Sequence, residues 1–197
     1  FSVASNLLGF DALLIEAFTN PAATRAALRH LAEGQAEFVR TVRDAGLGIA
    51  FFESAATPPL LSPGLFREVA LPPLRWLLRA ASAILGESVP CIMGGDTAPI
   101  LEDLLGTGTG YVICPAPGET DQAAFLATMR AHPDVKVRVN MAPEITARGR
   151  WPEVQAEVER IARLVAGRPN TCLGTGALPF ETSPETVRRI GEHAAAL

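Results

Sequence analysis

The residues best placed for chemistry in this 197-residue sequence stand where apolar runs end. One such run, Ser88 to Met93, carries a thiol at Cys91. It breaks at Gly94-Gly95 and delivers Asp96 and Thr97 just before an amphipathic helix. A second run, Leu47 to Phe52, ends in Glu53-Ser54, and later ones end at Asn140 and at Gly174-Thr175-Gly176. Carboxylates at the mouth of an apolar core do acid–base work when their surroundings tune them. Glu53 and Asp96 are therefore the catalytic candidates. Ser54, Asn140, Thr175 and, near the start, Asn6 offer neutral hydrogen-bonding groups for a substrate. Competing readings exist: Asp96 fits a helix N-cap, and Glu181 fits the first turn of the helix that follows it. For Glu53 a purely structural role is the weaker reading, because a charge ending an apolar strand needs a partner. All three histidines (His30, His132, His193) fall inside helices or in a helix-to-strand turn, which argues against a Ser-His-Asp triad.

The elements that must position these residues alternate. Apolar runs of strand type cover Leu47–Phe52, Ser88–Met93, Tyr111–Cys114, Val135–Met141 and Thr171–Gly174. Between them lie helical patterns: Asp11 to Phe18, Ala22 to Ala45, Gly64 to Val69, Leu74 to Leu85, Asp121 to Ala131, Trp151 to Ala166, and a final helix begun by Ser183-Pro184-Glu185. Pro72-Pro73 reads as an interruption between two helices, and residues 1–10 as the tail of a strand entering a helix. Gly106-Thr107-Gly108-Thr109-Gly110 resembles a phosphate loop. It follows a helix and precedes a strand, however, which is the wrong side for phosphate binding. Strand–helix alternation predicts a parallel sheet. An open doubly wound sheet is the runner-up, although no G-x-G-x-x-G follows a first strand. Five strands are too few to close a (β/α)8 barrel, which typically takes ~250 residues. A barrel reading therefore places about three βα units before this segment.

Composition narrows the functional classes. A net charge of −4 without a basic cluster argues against nucleic acid as a partner. No apolar run approaches the ~18 residues of a membrane span, and the first residues carry no signal-peptide pattern. Three scattered cysteines (Cys91, Cys114, Cys172) make no disulfide framework, so the expected compartment is the reducing cytoplasm.

Several stretches together resemble the uroporphyrinogen decarboxylase superfamily. They are Phe1-Ser-Val-Ala-Ser-Asn-Leu, Phe52-Glu-Ser54, Leu61-Ser-Pro-Gly-Leu-Phe-Arg-Glu-Val-Ala-Leu-Pro72, Met93-Gly-Gly-Asp-Thr-Ala-Pro-Ile-Leu101, the Asn140…Pro143 strand end, and Gly174-Thr-Gly-Ala-Leu-Pro-Phe-Glu-Thr-Ser-Pro184. The resemblance spans the whole sequence in order. It implies one domain over residues 1–197 that supplies about the last five βα units of a TIM (β/α)8 barrel, with the N-terminal units outside this sequence.

The superfamily runs two chemistries. One is metal-free decarboxylation of the acetate side chains of uroporphyrinogen, part of porphyrin biosynthesis. The other is zinc-dependent methyl transfer between a corrinoid protein and a thiol. The decarboxylases carry a tyrosine in the first segment and a histidine in the last loop, where this chain has Asn6 and Thr175; the serine after Phe-Glu matches at Ser54. The methyltransferases hold zinc with a His-x-Cys pair and a later Cys, where this chain has Cys91-Ile92-Met93 and Ala177. A thioether is a poor zinc ligand and a methyl group none, which leaves Cys91 as one plausible ligand of three, with Cys114, Glu53 or Asp96 as substitutes that nothing in the sequence requires. The expectation is a uroporphyrinogen decarboxylase-like lyase without cofactor, acting on a tetrapyrrole and forming a homodimer. The alternatives are a corrinoid-linked methyltransferase with an altered zinc site, and a barrel that binds a tetrapyrrole or a partner protein without turnover.

Overall fold

The computed structural model describes residues 1–148 and 150–197. The chain divides into two compact units, residues 1–112 and 113–197.

The first unit begins with three helices: α1 (Ser2–Leu8), α2 (Phe10–Thr19) and α3 (Pro21–Asp44). Residues 1–10 thus form a helix and the start of a second, not the tail of a strand. Gly9, at φ 83°, makes the corner between them, a conformation that side chains with a Cβ resist. The helical face of Ala4, Leu13 and Ala17 is buried against Leu28 of α3 and Val69, and this burial holds the short helix α1 in place. Strand β1 (Phe51–Phe52) follows, then α4 (Pro63–Leu65), a π-helical turn (Phe66–Ala70) and α5 (Leu71–Leu85). The proline pair does not interrupt the helix here. The Leu71 N–H bonds back to the Phe66 carbonyl, and Pro72 and Pro73 then fall in the first turn of α5, where backbone N–H groups have no helical partner to lose. Strand β2 (Cys91–Ile92) pairs in parallel with β1, Phe51 opposite Cys91 and Phe52 opposite Ile92. A 3-10 turn (Ala98–Ile100), helix α6 (Leu101–Leu105) and the buried Thr107-to-Thr109 turn lead to β3 (Tyr111–Cys114). The core of this unit packs Val39, Leu61, Phe66, Leu74, Leu78, Val89 and Met93 together.

Strand β3 crosses from the first unit into the second and heads a three-stranded sheet of order β3-β4-β5, with β4 at Lys136–Asn140 and β5 at Thr171–Gly174. β4 and β5 run parallel in the register Arg138 opposite Cys172 and Asn140 opposite Gly174. Four helices accompany them: α7 (Gln122–Met129), α8 (Pro143–Arg148), α9 (Trp151–Leu164) and α10 (Pro184–Ala195). Asp121 caps α7 by accepting from the Ala123 and Ala124 amides, both at 3.0 Å. Val137 and Val139 are fully buried, so the alternate residues Lys136, Arg138 and Asn140 turn to the other face of β4.

All five strands the sequence predicts are present, but β1 and β2 are reduced to two residues each and β4 loses one at either end. Among the described residues, no single helix is long and apolar enough to cross a membrane.

Candidate active site

In the first unit Glu53 follows directly on β1 and is only 7% exposed. Its partner is the start of helix α1. Oε2 accepts from the Phe1 backbone nitrogen at 2.7 Å, and Oε1 accepts from the Ser2 amide at 3.0 Å and the Ser2 hydroxyl at 2.6 Å. The Ser2 hydroxyl oxygen in turn accepts from the Ser54 and Ala55 amides, both at 3.1 Å. A carboxylate at a helix N-terminus meets unpaired N–H groups and the positive end of the helix dipole. Both oxygens of Glu53 are thereby committed to joining two segments about fifty residues apart in sequence. Ser54 contributes its backbone to the same junction. Asn6, further along α1, is exposed.

Cys91 and Met93 lie on the face of β2 that packs against the helices, in one apolar cluster with Phe66, Leu74 and Leu78. Strand alternation puts Phe52 and Ile92 on the opposite side, where Phe52 is largely exposed. Burial pushes the Cys91 thiol up to about 12, with the Glu53 carboxylate adding to the rise. Without a metal beside it, a thiol so placed stays protonated at neutral pH.

Asp96 is half-buried after the Gly94-Gly95 turn, and its Oδ1 accepts from the Ala98 amide at 3.2 Å. That bond fixes the start of the 3-10 turn. It also leaves the carboxyl group at the surface of the unit, unlike that of Glu53. Gly95 is held at φ 73° where a Cβ would lie 3.2 Å from the Pro58 carbonyl, so this turn requires glycine.

In the second unit Asn140 and Thr175 are neighbours across the register pair Asn140–Gly174. Asn140 is 8% exposed, and its Oδ1 accepts from the Arg138 Nε at 3.0 Å. Its backbone carbonyl accepts from Gln122 Nε2 at 2.8 Å, and the same amide group donates to the Pro115 carbonyl at 2.7 Å. Gln122 is oriented by Arg160, which donates to its Oε1 at 2.8 Å while gripping the buried Glu157 carboxylate at 2.7 and 2.9 Å. Glu157 Oε1 also accepts from the Ala142 amide at 3.4 Å. The loops after β3 and β4 are thus tied to helices α7 and α9 by one polar network. Sequence reasoning missed it, although a glutamate and an arginine three apart on a helix were a visible signal. Arg138 was missed too, and the alternation Lys136-Val137-Arg138-Val139-Asn140 was its signal. Burial pushes the Cys114 thiol up to about 12 and also raises that of the less buried Cys172, against the opposing charges of Lys136 and Arg138.

A catalytic zinc needs thiolate, imidazole or carboxylate donors gathered round an open position. Among the described residues no group of three or more His, Cys, Asp or Glu gathers in that way. Cys91 has Glu53 as its acidic neighbour, but Glu53 is fully engaged and the sulfur faces the helices. Among the described residues the donor set does not fit a zinc ion. The histidines stand elsewhere: His30 on α3, His132 in the turn before β4, and His193 on α10 stacked edge-on against Trp151.

Comparison with known proteins fits these observations. Of the solved structures, a methyltransferase from Methanosarcina mazei superposes with a TM-score of 0.79 at 18% sequence identity, covering 99% of this chain and 56% of that one. The chain therefore spans little more than half the length of that relative. At this identity the likeness establishes an α/β fold, with parallel strands and surrounding helices consistent with part of a TIM barrel. No curated protein matches in sequence. The uroporphyrinogen decarboxylase (URO-D) family model matches residues 1–197, and the chain belongs to that family.

Proposed function

We propose that the protein to which these residues belong is a uroporphyrinogen decarboxylase-like lyase. It removes carboxyl groups from a polycarboxylated tetrapyrrole in the cytoplasm, as a homodimer and without metal or organic cofactor. One observation carries the choice between the family's two chemistries. The sulfur aligned with a zinc site, Cys91, is turned into the helix-facing core, and among the described residues no further donors gather round it, which supports the metal-free reading.

The reaction needs an electron sink. Protonating an electron-rich pyrrole ring lets the C–C bond to an acetate carboxylate break, its electron pair flowing toward the ring. Carbon dioxide leaves, a proton replaces it on the side-chain carbon to give a methyl group, and the ring gives back the proton it took. The protein has to supply an acid and hold the other carboxylates still. In the first unit Asp96 is the acid this reading selects, because Glu53 is consumed in anchoring α1 while Asp96 retains surface. Ser54 and Asn6 are polar contacts of that unit, and Asn140 and Thr175 are those of the second.

The test is anaerobic incubation of the intact protein with uroporphyrinogen, with products oxidised and separated by carboxyl number. Appearance of hepta- to tetracarboxyl species supports the reading. No product, together with about one zinc per chain by elemental analysis and methyl transfer from methylcobalamin to a thiol, replaces it with the methyltransferase reading. Tight tetrapyrrole binding with neither activity leaves a binding barrel.

A further inference from the structure

The second unit contains an arginine whose placement no hydrogen bond to a carboxylate explains. Arg138 lies in the middle of β4, on the face opposite Val137 and Val139, and is half-buried. Its Nε is fixed on Asn140 Oδ1 at 3.0 Å, which leads the side chain toward the C-terminal end of the strand. Among the described residues, its two terminal nitrogens have no hydrogen-bond or ion-pair partner. Most arginines of this unit differ: Arg150, Arg160, Arg163 and Arg188 are paired with glutamates, and Arg168 donates to three backbone carbonyls.

The backbone has been shaped to admit this side chain. A Cβ on Gly174 would lie 2.7 Å from both Arg138 Cγ and Cδ and 2.5 Å from Asn140 Oδ1. Only the missing side chain at Gly174 lets the arginine stem and the Asn140 amide cross β5. Asn140 is held from behind by Gln122, so the fork rests on a rigid strand and not on a loop. Gly176, at φ 68°, then turns the chain so that the Asn140 amide nitrogen faces it. The charges acting on Cys172, the residue opposite Arg138, come from Lys136 and Arg138, both positive.

A guanidinium with one nitrogen pinned and two offered in a plane is the geometry that binds a carboxylate in a fork. We propose that Arg138, oriented by Asn140 and admitted by Gly174, binds one carboxylate of the substrate. This deepens, and rests on, the reading of the protein as a lyase for a polycarboxylated tetrapyrrole. Arg138 acts by positioning: it holds a side-chain carboxylate while another is lost.

Two measurements on the intact protein test it. First, phenylglyoxal modification of Arg138 is followed by peptide mass spectrometry with and without benzenehexacarboxylate, and with inorganic phosphate at equal ionic strength. The polycarboxylate is expected to slow modification severalfold, and phosphate not to. Second, uroporphyrin binding is titrated by fluorescence for wild type, Arg138→Gln, Arg138→Lys and Gly174→Ala. Loss of a charge-assisted fork weakens binding by about tenfold or more in Arg138→Gln, with partial recovery in Arg138→Lys. Gly174→Ala, which displaces the fork, loses a similar amount at unchanged circular dichroism. Equal modification rates in every condition, shielding by phosphate alone, or wild-type affinity in Arg138→Gln would overturn the proposal. Shielding by the polycarboxylate in a protein that binds no uroporphyrin upholds the carboxylate site and instead removes the tetrapyrrole reading.

Discussion

Two strands of this protein carry a charged residue, and they use it in opposite ways. After β1, Glu53 accepts hydrogen bonds on both oxygens from the start of α1, and nothing of it is left for a ligand. In the middle of β4, Arg138 spends one nitrogen on Asn140 and keeps the rest of its fork open. Both are charged residues carried by or beside short strands, and residue type alone does not tell their roles apart. The difference is in the partners. A buried charge whose every bond is met inside the fold is a fastener, and a half-buried charge held rigid but incompletely met is a receptor. The same contrast separates Glu53 from Asp96 within the first unit.

The comparison can be broken, beginning with its largest expected effect. Replacing Glu53 by Ala removes the acceptor for three donors at the start of α1 and is expected to destabilise the protein by about 3 kcal/mol in urea unfolding. If Glu53→Ala instead leaves stability intact and abolishes turnover, Glu53 is a catalytic group and the contrast fails. Asp96→Asn keeps the Oδ1 acceptor for Ala98 and so the fold. It is expected to lower decarboxylation about a hundredfold, the usual size of an acid–base contribution, at unchanged unfolding midpoint. A loss of stability without loss of rate would make Asp96 a cap and nothing more.

The polar network behind Asn140 sharpens the other side. Arg160→Ala leaves Glu157 buried without its cation. Because the arginine is itself 37% exposed, the expected cost is discounted to about 2 kcal/mol. A double change that also removes Glu157 recovers part of it. Smallest and most local is the behaviour of the thiols. At pH 8 iodoacetamide is expected to label the half-buried Cys172 first, while Cys91 and Cys114 stay unlabelled until the chain unfolds. Both buried thiols are raised in the folded chain from an ordinary 9.0 to about 12. Their contribution to stability is complete below about pH 9 and is lost as pH climbs from there through about 12, because only the unfolded chain ionises easily in that window. Cys91→Ala should flatten that alkaline fall. An unchanged slope would mean that the thiol is not buried as described.

Parts of this were legible in the sequence and parts were not, for physical reasons. Tyr111–Cys114 and Thr171–Gly174 form strands with the expected bounds, because a short apolar run between turn residues has few other ways to be satisfied. Helix α3 runs from Pro21 to Asp44, close to its amphipathic pattern. The proline pair misled, because whether Pro72-Pro73 ends a helix or starts one depends on the π turn before it. That turn is stabilised by packing, not by local preference. Cys91 was visible as a residue but not as an orientation. Shifting a strand by one residue exchanges its faces, and only the helices packed on Leu74 and Leu78 decide which face is inward.

The sequence by itself determined the alternation of strands and helices, the family, and the placement of its three histidines on helices or in a turn before a strand, since composition and periodicity are properties of the chain. Tertiary structure alone decided which strand-end groups were already spent. That Glu53 is tied to Ser2, and that Gly174 makes room for Arg138, depends on segments far apart in sequence meeting within hydrogen-bonding distance. No local pattern records such a meeting.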